Sequence, residues 1–452
     1  MARQMDFTKG PIVGPLIRFS VPIMAARFLQ ALYGAVDLWV VGKYAQAADI
    51  SGVSVGSQIM NTITYVIVSL AMGTTILLGQ KLGEKDIRAG GDIIGTSIVL
   101  FGCIGGALTF LVPLCSGLLT TAMNAPEGAF ETTRQYIFIC GAGSIMIIAY
   151  NLLGSVMRGM GDSQTPLVTV AIASAINIVG DLILVAGFHL GAAGAAIATV
   201  CAQTVSVVIS FLLLRRRELP FAFGRGNLRM NGPIFRRIMG FGIPIAVQEF
   251  LVSLSFLVIV AIVNDLGVIA SAGMGVAEKV CGFIMLVPGS FMQAMSAYVA
   301  QNKGAGEYGR AIRGLWLAVG MSTAFGVAMF LLAFFRGDLL CGVFADDREV
   351  VAAGFDYLKA YAIDCLFTCF MFCFVGFYNG LGHTGFVMLQ GILSAFLVRI
   401  PVSWFMAKTT GRLFCIGLGI PAATIVQIAA CFGFFAYLYR RELRPAGRVV
   451  RE

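Results

Sequence analysis

Residues 91–113 read GDIIGTSIVLFGCIGGALTFLVP, an apolar run whose one charged residue, Asp92, stands at its edge. A bilayer core of about 30 Å is crossed by roughly 20 apolar residues in a helix, so this stretch spells a membrane span. Outward from it, comparable runs bounded by Gly, Pro and charge clusters place helices near 16–41, 50–80, 91–113, 132–158, 165–187 and 191–214. A second set falls near 234–262, 268–300, 311–334, 355–380, 385–407 and 414–439. With 58% hydrophobic and 12% charged residues, against about 25% charged in soluble domains, a soluble enzyme is excluded. The expected fold class is all-α integral membrane, with twelve transmembrane helices. The first run contains Arg27 and Asp37 and lacks a small-residue cleavage site, which makes it a retained span rather than a signal peptide.

Twelve spans put both termini on one side. Most of the 32 Lys and Arg lie in loops on that side, densest from Arg215 to Arg237 and from Arg440 to Arg451. Basic loops stay cytoplasmic, so both termini are expected in the cytoplasm, with the chain multi-pass in the inner cell membrane. The same rule accounts for the net charge of +9 without a nucleic-acid partner. Eleven cysteines lack paired metal spacing and fall mostly in apolar runs, where Cys packs as a small hydrophobe. Cys365, Cys369 and Cys373 share one helix face and are read as packing, and His189 and His383 fall in loops. No metal and no cofactor are expected, and the chain is expected to act as a monomer among membrane lipids.

The expected organisation is a six-helix lobe over 1–214, a cytoplasmic basic linker over 215–233, a second six-helix lobe over 234–440 and a cytoplasmic tail over 441–452. The two halves repeat at an offset of 221: Gly52 meets Gly273, Gln80 meets Gln301, Gly83 meets Gly304, Tyr136 meets Tyr357, Gly159 meets Gly380 and Gly161 meets Gly382. Pro22 and Pro244 align in the first helices of each half. An even number of spans per half makes the repeats parallel, a transporter architecture in which two pseudo-symmetric bundles rock about a central site.

Ionisable groups inside spans are costly and are functional candidates by default. Gln30, Tyr33 and Asp37 form a polar stripe at i, i+3 and i+7, and Asn177 and Asp181 a second at i, i+4. Asp37 and Asp181 sit at similar depths below the outer ends of their helices. Helix 2 adds Gln58, Asn61, Thr62 and Tyr65, and helix 6 adds Thr199 and Gln203. In the second half Glu249 and Asp364 are secondary carboxylate candidates. Arg27 and Glu249, each five residues after the aligned prolines, are expected to attract one another between the halves. Asp356 and Lys359, three apart on one helix, are expected to pair structurally. The alternatives are a structural role, with interhelical hydrogen bonds gluing the bundle, and, remotely, an intramembrane aspartyl protease. NIVGDLIL around Asp181 lacks the GxGD arrangement of such proteases, and a protease leaves the duplication unexplained.

DFTKGPIVGPLIRFSVPI, LYGAVDLWVVGKY, GQKLGEKD, GSVMRGMGDSQTP and NIVGDLIL, followed by VAQNKGAGE and GFYNGLGHTG, together resemble the multidrug and toxin extrusion (MATE) transporters over nearly the whole chain. The resemblance implies two six-helix lobes and export of bulky, often cationic organic compounds driven by inward flow of H⁺ or Na⁺. It also implies a first-lobe cation site, of the kind found in prokaryotic members, at Asp37, Asn177 and Asp181. Members with second-lobe carboxylates carry one on helix 7, which Glu249 fits, and one before the Gly of the helix 10–11 turn, which is Asn379 here, Asp364 lying some four turns earlier. The superfamily also includes flippases for lipid-linked saccharides and cell-wall precursors. Those would be expected to line the cavity with several Arg for pyrophosphate, whereas only Arg27 and Arg399 are available for it here. The activity expected is transport, not enzymatic catalysis, with the coupling ion binding the outward-open state and displacing substrate.

Overall fold

A computed structural model describes residues 5–215 and 220–443. Residues 216–219 of the expected linker and 444–452 of the expected tail lie outside the described residues. In chain order the helices are α1 Val13–Tyr44, α2 Ala47–Gly83, α3 Ile87–Leu114, α4 Ser116–Ala122, α5 Phe130–Ala142, α6 Ser144–Gly159, α7 Gln164–Asp181, α8 Gly191–Arg215, α9 Gly232–Asn264, α10 Val268–Ile284, α11 Leu286–Gly304, α12 Tyr308–Gly342, α13 Arg348–Leu381, α14 Thr384–Ser394, α15 Ile400–Thr409, α16 Leu413–Gly417 and α17 Gly419–Leu438. Among the described residues eleven helical segments are long and apolar enough to span a membrane, and the pair Glu127–Ala142 and Ser144–Gly159, bent by 56°, makes the twelfth. The chain is thus an all-helical, multi-pass membrane protein. Several helices run past their apolar stretches, α1 beginning at Val13 and α12 extending to Gly342. Hydropathy marks the hydrocarbon layer, whereas a helix continues into the aqueous margins until a cap or breaker ends it.

The repeat reappears as packing. A Cβ on Gly52 of α2 would stand 2.6 Å from Thr132 Oγ1, and one on Gly273 of α10 would stand 2.6 Å from Ala353 Cβ; both partners lie 221 residues apart, as the glycines do. Likewise Gly159 of α6 packs on Thr75 and Leu78, and Gly380 of α13 on Ser296 and Val299. Thr75 donates to the Ser155 carbonyl at 2.8 Å, and its counterpart Ser296 donates to the Gly376 carbonyl at 3.2 Å. In a membrane, where lipid offers no hydrophobic drive to association, such close backbone approach is what holds helices together. The symmetry breaks at the fourth span. α5 and α6 bend at Gly143, against which Val200 packs, whereas α13 runs unbroken through Asp364 at the equivalent position.

The chain divides into two units, unit 1 comprising Met1–Asp6 and Val21–Ala246, unit 2 comprising Phe7–Ser20 and Val247–Glu452. Within unit 2 the N-terminal strap is clamped. Phe7 packs edge-on against Phe19 and Tyr298, and its N–H donates to Gln301 Oε1 at 3.2 Å. Arg310 donates to the carbonyls of Phe7, Lys9 and Gly10 at 2.7–2.9 Å. Within unit 1 the described part of the linker lies on α3: Phe221 is buried, Ala222 N–H donates to the Ile87 carbonyl, and Asn227 Nδ2 donates to Asp92 Oδ1 at 2.8 Å. Gly90, Gly91 and Gly95 open the groove that receives it.

The expected Asp356–Lys359 pair does not form. Asp356 instead accepts from the Phe414 N–H at 3.1 Å, at the start of α16, and Lys359 lies 4.3 Å from the Phe355 ring. The free N–H groups of a helix start attract a carboxylate, and an aromatic face serves the ammonium. Cys365, Cys369 and Cys373 are buried along α13, where Gly326 meets Cys369 Sγ.

Candidate functional site

α7 begins where Asp162 accepts from the N–H groups of Gln164 and Thr165, both at 3.0 Å. The small residues of GAAGAAIATV at the start of α8 let α7 approach closely: a Cβ on Gly180 would stand 2.9 Å from Ala198 Cβ. This approach carries Asn177 of α7 to Thr199 of α8, with Asn177 Nδ2 donating to Thr199 Oγ1 at 3.4 Å. Beyond Asp181 the helix widens into a π-helical turn, Leu182–Gly187, a feature that re-aims side chains and recurs at functional sites. Asp49 Oδ1 fixes the other end of α8 by accepting from Ala192 N–H at 2.9 Å.

Asp37 of α1 is 6% exposed, Asn177 2% and Asp181 0%. The carboxyl groups of Asp37 and Asp181 face one another within hydrogen-bonding reach. No protein donor reaches either Asp181 oxygen or Asp37 Oδ1, and Asn177 Oδ1 and Gln203 Oε1 are likewise unpartnered. Two buried carboxylates at this range repel unless a proton or a cation lies between them. Beside them is a cavity of about 10 Å³ lined by Tyr33, Tyr150, Asn177, Thr199 and Gln203, roughly the space of one water or one bare cation. The oxygens available are two carboxylates, two amides and a hydroxyl, a donor set suited to a hard monovalent cation or to a shared proton. Among the described residues no group of three or more His, Cys, Asp or Glu is placed to hold a metal.

The structure therefore brings Tyr33, Asp37, Asn177, Asp181, Thr199 and Gln203 together in unit 1, and sets Gln30 against Tyr150 on the same flank. Gln58, Asn61, Thr62 and Tyr65 stand apart, on an exposed face of α2, with Tyr65 68% exposed. A polar stripe of this kind on a spanning helix calls for an aqueous surface rather than lipid. Arg27 belongs to unit 1 and Glu249 to unit 2. Asp364 is buried in unit 2, accepting from Thr368 Oγ1 at 2.6 Å, and Arg399, in a second π-helical turn, donates to Ser255 Oγ at 2.9 Å over the Phe256 ring. As site residues, sequence reasoning missed Tyr136 and Cys140, which lie near Asp37, and Tyr150, which lines the cavity. Gly56, which gives Tyr136 its room, was the available signal.

Comparison with known proteins places this arrangement in a family. The MatE family model matches the chain twice, over residues 22–183 and 244–405, so the chain belongs to the MatE family of transporters and is not an enzyme. The chain is 27% identical over 436 residues to the probable multidrug resistance protein YpnP of Bacillus subtilis, covering 96% of each chain. It is 25% identical to the probable multidrug resistance protein NorM of Thermotoga maritima, covering 87% of this chain and 85% of that one. A solved structure of a MATE protein in complex with MaL6 superposes with a TM-score of 0.90 at 16% identity, over 98% of this chain and all of that one. The two matched segments are offset by 222, within one residue of the 221 at which the glycine contacts recur in each unit.

Proposed function

We propose that this protein is a cation-coupled antiporter that exports amphipathic organic compounds across the inner cell membrane by alternating access. The observation that carries the reading is the Asp37–Asp181 pair, buried, lacking protein donors on three oxygens and adjoining a cation-sized cavity with Asn177. The names of YpnP and NorM, which describe drug resistance, support a substrate class of organic compounds. H⁺ or Na⁺ occupies the carboxylate pair in the outward-open state, and loss of the ion to the cytoplasm readies the carrier for substrate. An ion that binds one state better than the other is what biases exchange. Tyr33, Thr199 and Gln203 complete the site, Gln30 and the α2 stripe contact substrate, and Glu249 and Asp364 serve as secondary carboxylates in unit 2.

The test is transport by purified protein in proteoliposomes under an imposed pH or Na⁺ gradient. One of the two gradients is expected to drive a cationic dye against its own gradient, and uptake indifferent to both would reject the coupling. Orientation is tested separately, because the basic loops predict that reporters fused after Arg217 and at Glu452 both read cytoplasm; an external signal at either site would reverse the topology.

A further inference from the structure

Arg158 ends α6, in GSVMRGMGD. A basic side chain at the end of a span ordinarily snorkels outward to the headgroups. This one folds back along its own helix. Its NH2 donates to Ser155 Oγ at 2.9 Å, one turn earlier, and its guanidinium lies over Gly154, where a Cβ would stand 3.1 Å from NH1. Nε is shut off from solvent without an acceptor, and among the described residues no carboxylate pairs with Arg158. The side chain as a whole remains partly exposed. Arg27 and Tyr150 of the same unit lie near enough to act on its charge. The Arg158 guanidinium is therefore held against its own helix in unit 1 with unused donors.

The repeat shows that the fold does not need this arrangement. At the positions 221 residues on, unit 2 has Asn379 for Arg158 and Val375 for Gly154, and both are buried in an otherwise equivalent helix packing. The glycine that makes room for the guanidinium and the guanidinium itself occur together in one unit and are absent together from the other.

We propose that Arg158, with Arg27 and Tyr150, forms an anion subsite in unit 1 that takes a phosphate or carboxylate head. Resting on the antiport reading, this extends the substrate class from cations to zwitterionic and anionic amphiphiles. The planar guanidinium, with NH1 unused and NH2 keeping a second hydrogen beyond the one given to Ser155, supplies the charged donors that such an oxyanion accepts, and the Tyr150 hydroxyl adds a neutral donor.

The experiment is calorimetric titration of the full chain in phosphate-free dodecyl maltoside micelles with hexyl phosphate and, separately, hexyltrimethylammonium. Wild type is expected to bind hexyl phosphate. Arg158→Gln is expected to weaken that binding about tenfold or more, as loss of a charged hydrogen bond does, while leaving the ammonium probe within about twofold. Gly154→Val, which keeps every charge but closes the space over the helix, is expected to weaken the phosphate probe likewise and is the variant to read if Arg158→Gln does not fold. Equal affinity of wild type and the folded variant for hexyl phosphate, or no binding by wild type, would overturn the site. Repeating the titration with phosphatidylglycerol added to the micelles distinguishes the sources: competition assigns the site to a lipid headgroup, and its absence assigns the site to a transported compound. The titration needs no gradient, so failure of coupled transport would reject antiport while leaving this result standing.

Discussion

Asp181→Asn is expected to reach the membrane in normal amounts and to fail entirely to concentrate substrate against a gradient. The substitution keeps the size of the side chain and one acceptor oxygen while removing the charge. It also leaves the buried Asp37 carboxyl without the partner that makes two-state ion binding steep. Substrate added to purified wild type should displace the bound ion, seen as proton release in weakly buffered solution or as Na⁺ release by an ion-selective electrode. Asp181→Asn and Asp37→Asn should release none at any pH, although both still bind substrate. Equal release from wild type and Asp181→Asn would remove that residue from the mechanism and direct attention to Glu249. Loss of the protein itself, with unfolding in detergent, would instead mark the pair as structural glue.

The second large effect concerns packing. Gly380→Ala is expected to destabilise the protein by about 1–3 kcal/mol, the usual cost of overpacking a tight site, because its Cβ would stand 2.7 Å from the Ser296 carbonyl oxygen and 3.0 Å from the Ala300 backbone nitrogen. Backbone in the middle of α11 cannot retreat without breaking its own hydrogen bonds. Gly159→Ala should cost visibly less, since there the nearest atoms are at 3.0–3.2 Å and a few tenths of an ångström suffice. Melting of the two purified variants, followed by intrinsic fluorescence, reads the difference directly. A Gly380→Ala variant melting with wild type would show that these helices are not in contact as described.

Much of this site could be read from residues alone. Charge and amide groups are rare enough inside apolar helices that Asp37, Asn177 and Asp181 identify themselves, and equal depth on the first and fifth spans, which run the same way, is enough to suggest that two carboxylates meet. Two of the six repeat identities, Gly52 with Gly273 and Gly159 with Gly380, were legible because a glycine at a close helix crossing leaves little room for a side chain. Arg158 was not legible as a site, since a basic residue at the end of a span looks like an orientation signal. Only the direction of its side chain, back over Gly154, says otherwise. The bend at Gly143 was equally hidden, because a glycine inside an apolar run reads the same whether the helix continues straight or turns by 56°. The seating of Phe221 and Asn227 on α3 escaped for a related reason: composition reports that a segment is polar and basic, and says nothing of the groove that three glycines on a distant helix have opened for it.

The clamp on Phe7 bears on how the protein is made. Phe7 leaves the ribosome long before the residues that hold it: Tyr298, Gln301 and Arg310, which enclose it and satisfy its neighbours' carbonyls, are built about 300 residues later. At about 5–20 residues per second the interval is roughly 15–60 s. Throughout that time an apolar ring and a string of unpaired backbone carbonyls wait at the membrane surface. The aromatic pocket that finally receives the ring closes only once α11 and the start of α12 have been inserted, so the segment around Phe7, though made early, settles late.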